Sequence, residues 1–232
     1  MSIHSMHIQS QAAAGGGDGR LSFFFLLPLS VLIMGGLMGL VLAGPANTFE
    51  MNTMPQVESQ AGMISAGGIS SVFTAEVQSW EENILGWAEA AGLDANMAAT
   101  VMQIESCGDP QALSRSGAMG LFQVMPFHFL SGENGFDPET NALRGMDYLR
   151  RSLETARGDV RLAFAGYNGG IGVINWLEAD WPAETVRYAY WGSGIYAEAS
   201  SGAAHSTRLD EWLQAGGASL CRQAADRLGL IR

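Results

Sequence analysis

The chain has 232 residues and a formal net charge of -11, and all 12 of its basic residues are Arg. That balance excludes the basic stripe a nucleic-acid partner would need and excludes charge-driven docking on anionic lipid. No HExxH, CxxC pair or acidic calcium loop occurs, and His4 and His7 lie in the N-terminal tail, so no metal and no cofactor is expected.

Residues 1–20 are polar and Gly/Ala-rich without periodicity, and read as a disordered cytoplasmic tail. Residues 21–43 carry no charge. About 20 apolar residues cross a bilayer, whereas a secretory h-region is shorter. The segment therefore reads as a transmembrane signal anchor, with cleavage after Ala43 or Ala46 as the alternative. Arg20 abuts its N-terminal side, and no further Arg occurs before Arg115. Positive charge stays inside, so the N-terminus is expected in the cytoplasm and the bulk outside it, membrane-bound or secreted if the segment is cut. Residues 44–71 mix Gly, Ser, Gln, Asn and Met and read as a flexible linker, spanning about 25–30 Å on average.

From Val72 the periodicity turns helical. Phe73, Val77, Trp80, Ile84, Leu85 and Trp87 recur at three- and four-residue steps, and Gly92 ends that helix. Asp94 can cap the next, with Met97, Val101, Met102 and Ile104 apolar, before Gly108 and Pro110 stop it. Asp137-Pro138-Glu139 starts a helix running to about Arg157, with Leu143, Met146, Leu149 and Leu153 on one face. Asp159 can cap another through Tyr167. Trp181-Pro182-Ala183-Glu184 opens one carrying Val186, Tyr190 and Ile195. Ser206–Arg232 reads as two short helices broken at Gly216-Gly217, which should pack on the preceding domain because short helices are marginal alone. No run alternates apolar and polar residues. The fold class is all-α, with a main domain over 72–200 and a C-terminal helical extension over 201–232.

Glu105 carries the chemistry. It ends the apolar helix in Met102-Gln103-Ile104-Glu105-Ser106-Cys107-Gly108. Burial among apolar side chains and the negative end of the helix dipole both disfavour its anion, and no Arg lies within nine residues. A carboxyl kept protonated near neutral pH can act as a general acid. The other reading is an ordinary surface Glu at a helix end. Cys107 and Cys221 are the two cysteines. Outside the cytoplasm they would pair, a loop worth about 4–5 kcal/mol in the chain-entropy model; two buried thiols are the alternative.

Four motifs follow in order: Glu105-Ser106; Ser116-Gly117-Ala118-Met119-Gly120-Leu121-Phe122-Gln123-Val124-Met125-Pro126; Ala163-Phe164-Ala165-Gly166-Tyr167-Asn168-Gly169-Gly170; and Glu184-Thr185-Val186-Arg187-Tyr188. Over roughly residues 75–200 this series resembles the catalytic domain of soluble lytic transglycosylases, glycoside hydrolase family 23, with a lysozyme-like fold. The resemblance implies cleavage of the β-1,4 bond between N-acetylmuramic acid and N-acetylglucosamine in peptidoglycan. One catalytic glutamate, here Glu105, would protonate the leaving oxygen. As a base it would then help the sugar's C6 hydroxyl close a 1,6-anhydro ring. Ordinary glycosidases use two flanking carboxylates.

The resemblance further implies that Ser106 hydrogen-bonds backbone or substrate. Gln123 offers an amide to sugar hydroxyls, and Met125 sits near the glycan or packs. Tyr167 braces the cleft, while Asn168 meets glycan or Glu105. Tyr188 orients Glu105, and Glu184 meets the peptide stem or serves as a helix N-terminal carboxylate. Phe122, where the family often has Met, is core or subsite wall. Gly166 and Gly169 replace the usual alanines, which would loosen the backbone there. His128 reads as a packing or rim residue. Trp176, Trp181, Trp191 and Tyr190 cluster in sequence and could stack on sugars or fill the core. The expected partners are peptidoglycan glycan strands and, through residues 21–43, the membrane, with the chain acting as a monomer. The rival readings are a goose-type-lysozyme-like muramidase, with Asp109 or Asp137 as second carboxylate, and a non-catalytic glycan-binding or wall-assembly protein.

Overall fold

The computed structural model describes residues 67–230, and the expected tail, membrane anchor and all but the last residues of the expected linker lie outside them. No helix among the described residues is long and apolar enough to cross a membrane. Eight α-helices follow in order: α1 Ala75–Gln78, α2 Glu81–Ala91, α3 Ala95–Glu105, α4 Pro138–Thr155, α5 Val160–Gly169, α6 Ala183–Ser200, α7 Thr207–Trp212 and α8 Ala218–Leu228. Short 3-10 turns occupy Pro126–His128, Ile171–Asn175 and Glu178–Asp180, and Leu213–Gly217 is a π-turn kinked at Gly216. The only extended pairing among these residues is two isolated bridges, Leu113 with Met119 and Met119 with Val124.

The expected aspartate caps are in place. Asp94 accepts from the backbone of Asn96 and Met97, Asp137 from Thr140, and Asp159 from Leu162. Each satisfies donors that the first helical turn leaves open. The first expected helix is instead two, because the chain turns at Ser79-Trp80, where the Ser79 hydroxyl donates to Glu76 O. The Trp80 indole N–H crosses to Gly108 O at 2.9 Å, which ties this break to the turn beyond α3.

α3 is the central element. Every residue from Asn96 to Gln103 is buried, including the polar Asn96, Thr100 and Gln103, which find hydrogen-bond partners inside the domain. It contacts α1, α2 and α6, while α5 packs between α4 and α6. Ile84, Val101, Met102, Leu121, Phe122, Leu149, Phe164 and Ile195 fill the shared core, each worth about 1.5–3 kcal/mol of burial. Leu209, Trp212, Cys221 and Ala224 of the C-terminal helices lie in this same core. So does Ile69, whose N–H donates to Glu81 Oε1, so the packed domain begins before residue 72 and the expected linker stops short of it.

Two expectations about faces are corrected. Leu143 is 60 % exposed, because α4 turns Asn141, Ala142, Gly145, Met146, Leu149 and Ser152 inward instead. Gly166 does not loosen the backbone. A Cβ there would lie 2.3 Å from Ser152 Oγ and 2.6 Å from Ile174 Cδ1, so glycine is what lets α5 approach α4 this closely. Gly169 does the same against Thr185 Oγ1 at 2.7 Å.

Candidate active site

Glu105 is the last residue of α3 and keeps only a partial opening to solvent. Burial pushes its carboxyl up from 4.5 to about 8; hydrogen bonding by Tyr188 opposes the shift, and the charge of Glu184 adds to it. The acid is therefore protonated at neutral pH. α6 supplies both neighbours one turn apart, Glu184 in its exposed first turn and Tyr188 on its buried face. The Tyr188 hydroxyl is buried, faces Glu105, and makes no closer hydrogen bond of standard geometry. The Tyr167 ring stacks on Tyr188 with centroids 6.4 Å apart, and its hydroxyl donates to Phe122 O at 2.7 Å. Burial, followed by the negative charge of Glu105, holds both phenols well above their ordinary range. Glu105 thus sits against two neutral tyrosines.

Beneath it lies the turn Ser106–Gly108. Ser106 is fully buried, donates to Leu121 O at 2.7 Å and accepts from Gly108 N at 3.0 Å. Its hydroxyl is used by the backbone and does not face a substrate, which corrects its assignment as a substrate ligand. Cys107 adopts φ 51, a left-handed conformation that costs a non-glycine residue about 1–2 kcal/mol. The disulfide to Cys221 fixes it to α8, with Cα atoms 5.0 Å apart. Gln103, fully buried, adds to the clamp: Oε1 accepts from Thr74 N at 3.1 Å, and Nε2 points at Cys107 Sγ at 3.0 Å. Asp109 closes the turn by pairing with Arg227 of α8 at 3.3 Å. Glu76 lies with the two sulfurs as the one cluster of metal-type donors among the described residues, but those sulfurs are bonded to each other.

The loop 109–137 is organised by Asn141, a residue the sequence reading passed over. Its Oδ1 accepts from Phe122 N at 2.8 Å, and its Nδ2 donates to Met119 O at 2.7 Å and Gly135 O at 2.8 Å. Gly120, at φ 74, must be glycine because a Cβ would stand 2.5 Å from Asn141 Nδ2. Phe122 is core, edge-on to Trp87 at 6.1 Å. Gln123 adopts φ 46, and its amide nitrogen donates to Ala112 O and Gly120 O at 3.1 and 3.0 Å.

A cleft of about 230 Å³ opens beside this loop, lined by Gln123, Met125, Tyr167 and Asn168 together with Phe127, His128 and Tyr148. Asn168 Oδ1 accepts from Thr185 Oγ1 at 2.9 Å. Glu105 is not among the residues that line this cleft, but its charge acts on Tyr167, which does line it. His128 is held below its ordinary pKa by partial burial and then by Arg151. A larger groove of about 500 Å³ between α2 and α4, with Trp87, Leu143 and Met146, shares no residue with this site. The sequence cluster of tryptophans is dispersed. Trp181 is buried with its indole N–H on Val173 O, Trp191 packs on the main core, and Trp176 is exposed. Tyr190 lies at the surface under Arg208, 3.7 Å from the ring centroid.

Residues 82–184 match the family described as Transglycosylase SLT domain. Over 111 residues the chain is 39% identical to the Transglycosylase of Enterobacteria phage PRD1, covering 47% of this chain and 40% of that one. It is 33% identical over 103 residues to the Membrane-bound lytic murein transglycosylase C of Photorhabdus laumondii subsp. laumondii, covering 36% of this chain and 29% of the relative. The chain thus spans less than half the length of the curated relatives it matches. Among solved structures, an inactive mutant of the lytic transglycosylase Slt from Pseudomonas aeruginosa aligns with 23% identity and a TM-score of 0.44, over 53% of this chain and 24% of the other. The stretch that matches the family begins at the start of α2, contains Glu105, the Asn141-centred loop and the whole cleft lining, and ends one turn before Tyr188. Over residues 82–184 the chain is therefore similar to transglycosylase SLT domains.

Proposed function

We propose that this protein is a peptidoglycan lytic transglycosylase. It would cut the β-1,4 bond between N-acetylmuramic acid and N-acetylglucosamine and leave a 1,6-anhydromuramyl end. The observation that carries the reading is the Glu105 carboxyl, protonated at neutral pH and set against Tyr188 and Tyr167 beside an amide-lined cleft. Glu105 gives its proton to the glycosidic oxygen as the C–O bond breaks. The resulting carboxylate, stabilised by the Tyr188 hydroxyl, takes the proton of the sugar's own C6 hydroxyl as that oxygen closes on C1. The acid is restored, and no water is consumed. Gln123, through its Oε1, and Asn168 would hold sugar hydroxyl and acetamido groups, Met125 forms part of the wall, and the exposed Glu184 would meet a peptide stem.

The fate of the other carboxylates supports the intramolecular route. A water-delivering muramidase would need a second carboxylate or a held water. Asp109 is paired with Arg227, and Asp137 is the cap of α4, so neither is available. Glu184 is the one carboxylate among the described residues whose charge raises the Glu105 pKa, and it is exposed. The disulfide accords with a domain that works outside the cytoplasm. We place it there, tethered through residues 21–43 as a single-pass anchor. Digestion of purified sacculi by the protein and by its Glu105→Gln variant, followed by mass analysis, tests the reading. Anhydro-ended muropeptides that vanish in the variant are expected; products one water heavier would make the enzyme a hydrolase instead.

A further inference from the structure

We infer that Arg227, on the C-terminal helix α8 and outside the stretch that matches the family, is a positioning residue for the reaction: through the buried Asp109 it fixes the loop that carries Gln123 against Glu105. The inference rests on the proposed activity and adds to it a part played by the C-terminal extension.

Asp109 is 4 % exposed, and no other carboxylate among the described residues is so little exposed. A charged group taken out of water needs a cation and hydrogen bonds to stay there. Asp109 has both on one oxygen. Its Oδ1 accepts from Gln111 N at 2.8 Å and stands 3.3 Å from Arg227 Nε.

The backbone bonds of Asp109 run in both directions along the chain. Backwards, its N–H donates to Ser106 O at 3.1 Å, in the turn that follows Glu105. Forwards, its carbonyl accepts from Ala112 N at 3.2 Å. Ala112 O in turn accepts from Gly120 N at 2.8 Å and from Gln123 Nε2 at 3.1 Å. One buried residue thus joins the end of the acid's helix to the amide of the cleft.

The disulfide does not do this by itself. It holds Cys107, but Gly108 follows at φ 85, and a glycine tolerates several chain directions. Arg227 supplies a second tie beyond that glycine. Both ties come from one anchored element, since Cys221 and Arg227 lie on α8, whose Cys221 and Ala224 sit in the main core. Arg227 also lies in the last turn of α8, where a cation suits the helix dipole, but that favour does not require Asp109. The consequence of the pair falls on geometry. A sugar held on a displaced Gln123 presents its glycosidic bond out of line with Glu105.

The test compares wild type, Arg227→Gln, and Arg227→Gln combined with Asp109→Asn, each as the full protein, on purified glycan oligomers. Alone, Arg227→Gln leaves a buried carboxylate without its cation, and the turn shifts to return it to water. Asparagine keeps the bond from Gln111 N and needs no cation. In the single variant kcat is expected to fall about tenfold with KM within about twofold; the double variant should recover to within about threefold of wild type. Urea unfolding of each variant establishes that it is folded under the assay conditions, which separates a fall in kcat from loss of fold. An unmoved kcat in the single variant, or a double variant no faster than the single, overturns the inference. Hydrogen exchange at the Asp109 and Gly120 amides reads the same tie without turnover, and should be faster in the single variant and restored in the double. If wild type cleaves nothing, the catalytic reading falls and exchange alone decides the tie; unchanged exchange then refutes it.

Discussion

Glu105→Gln should make the protein more stable as the pH rises. Unfolded, Glu105 titrates near 4.5; folded, it titrates near 8. Between these values the folded chain holds a proton that the unfolded chain has lost. The stability this one group contributes is therefore full below pH 4.5 and falls by about 1.4 kcal/mol per pH unit, roughly 5 kcal/mol by pH 8. Glutamine is close to the protonated acid in shape and does not titrate, so the variant lacks this loss. Urea unfolding of wild type and variant at half-unit steps from pH 5 to 8.5 measures the difference directly. The gap between the two curves should widen with pH in favour of the variant, then level off above about pH 8. Other titrating groups are common to both proteins and cancel in the difference. Parallel curves would mean that Glu105 ionises like a surface carboxylate, and the acid role argued from its burial would fall.

Four further outcomes follow from the same structure. Tyr188→Phe removes the group that opposes the Glu105 shift, so the alkaline limb of the pH–rate profile moves up and kcat falls about tenfold. Glu184→Gln removes the charge that adds to the shift, so that limb moves down, by less at high salt because Glu184 is exposed. Cys107→Ala with Cys221→Ala releases a bridge spanning 114 residues, a loss of roughly 4–5 kcal/mol readable as a lower urea midpoint. Gly145→Ala places a Cβ 2.5 Å from that of Phe122 and should cost about 1–3 kcal/mol by calorimetry, with cleavage lowered because Phe122 O anchors Tyr167.

The helices were legible because their signals are local. Aspartate before an apolar run marks a start, and Asp94, Asp137 and Asp159 each cap a helix. Glu105 was legible as an oddity, an acid closing an apolar helix. The interior partners were not, because they depend on segments far apart in the chain. Asn141 sits one turn from apolar residues on α4, and a polar residue on such a face is the only hint that it bonds the loop opposite. Ser106 reads from sequence as a possible ligand; only the approach of Leu121 O shows that its hydroxyl is already used. Leu143 fits the helical period as well as Met146 does, but α4 is rotated so that small residues face α5 and the loop. The neighbouring rings of His128, Tyr148, Tyr167 and Tyr188 come from four separate stretches of sequence, which no single window brings together.

Cys221 is made 114 residues after Cys107, so the turn that carries Glu105 cannot be braced while the chain is still emerging. Its completion waits for α8 and for an oxidant. A molecule held in a reducing compartment keeps its general acid on a turn with one left-handed residue and no covalent anchor, and a molecule that has reached an oxidising one acquires it in a single step. Maturation of the site is in this way tied to where the protein is as well as to how it folds.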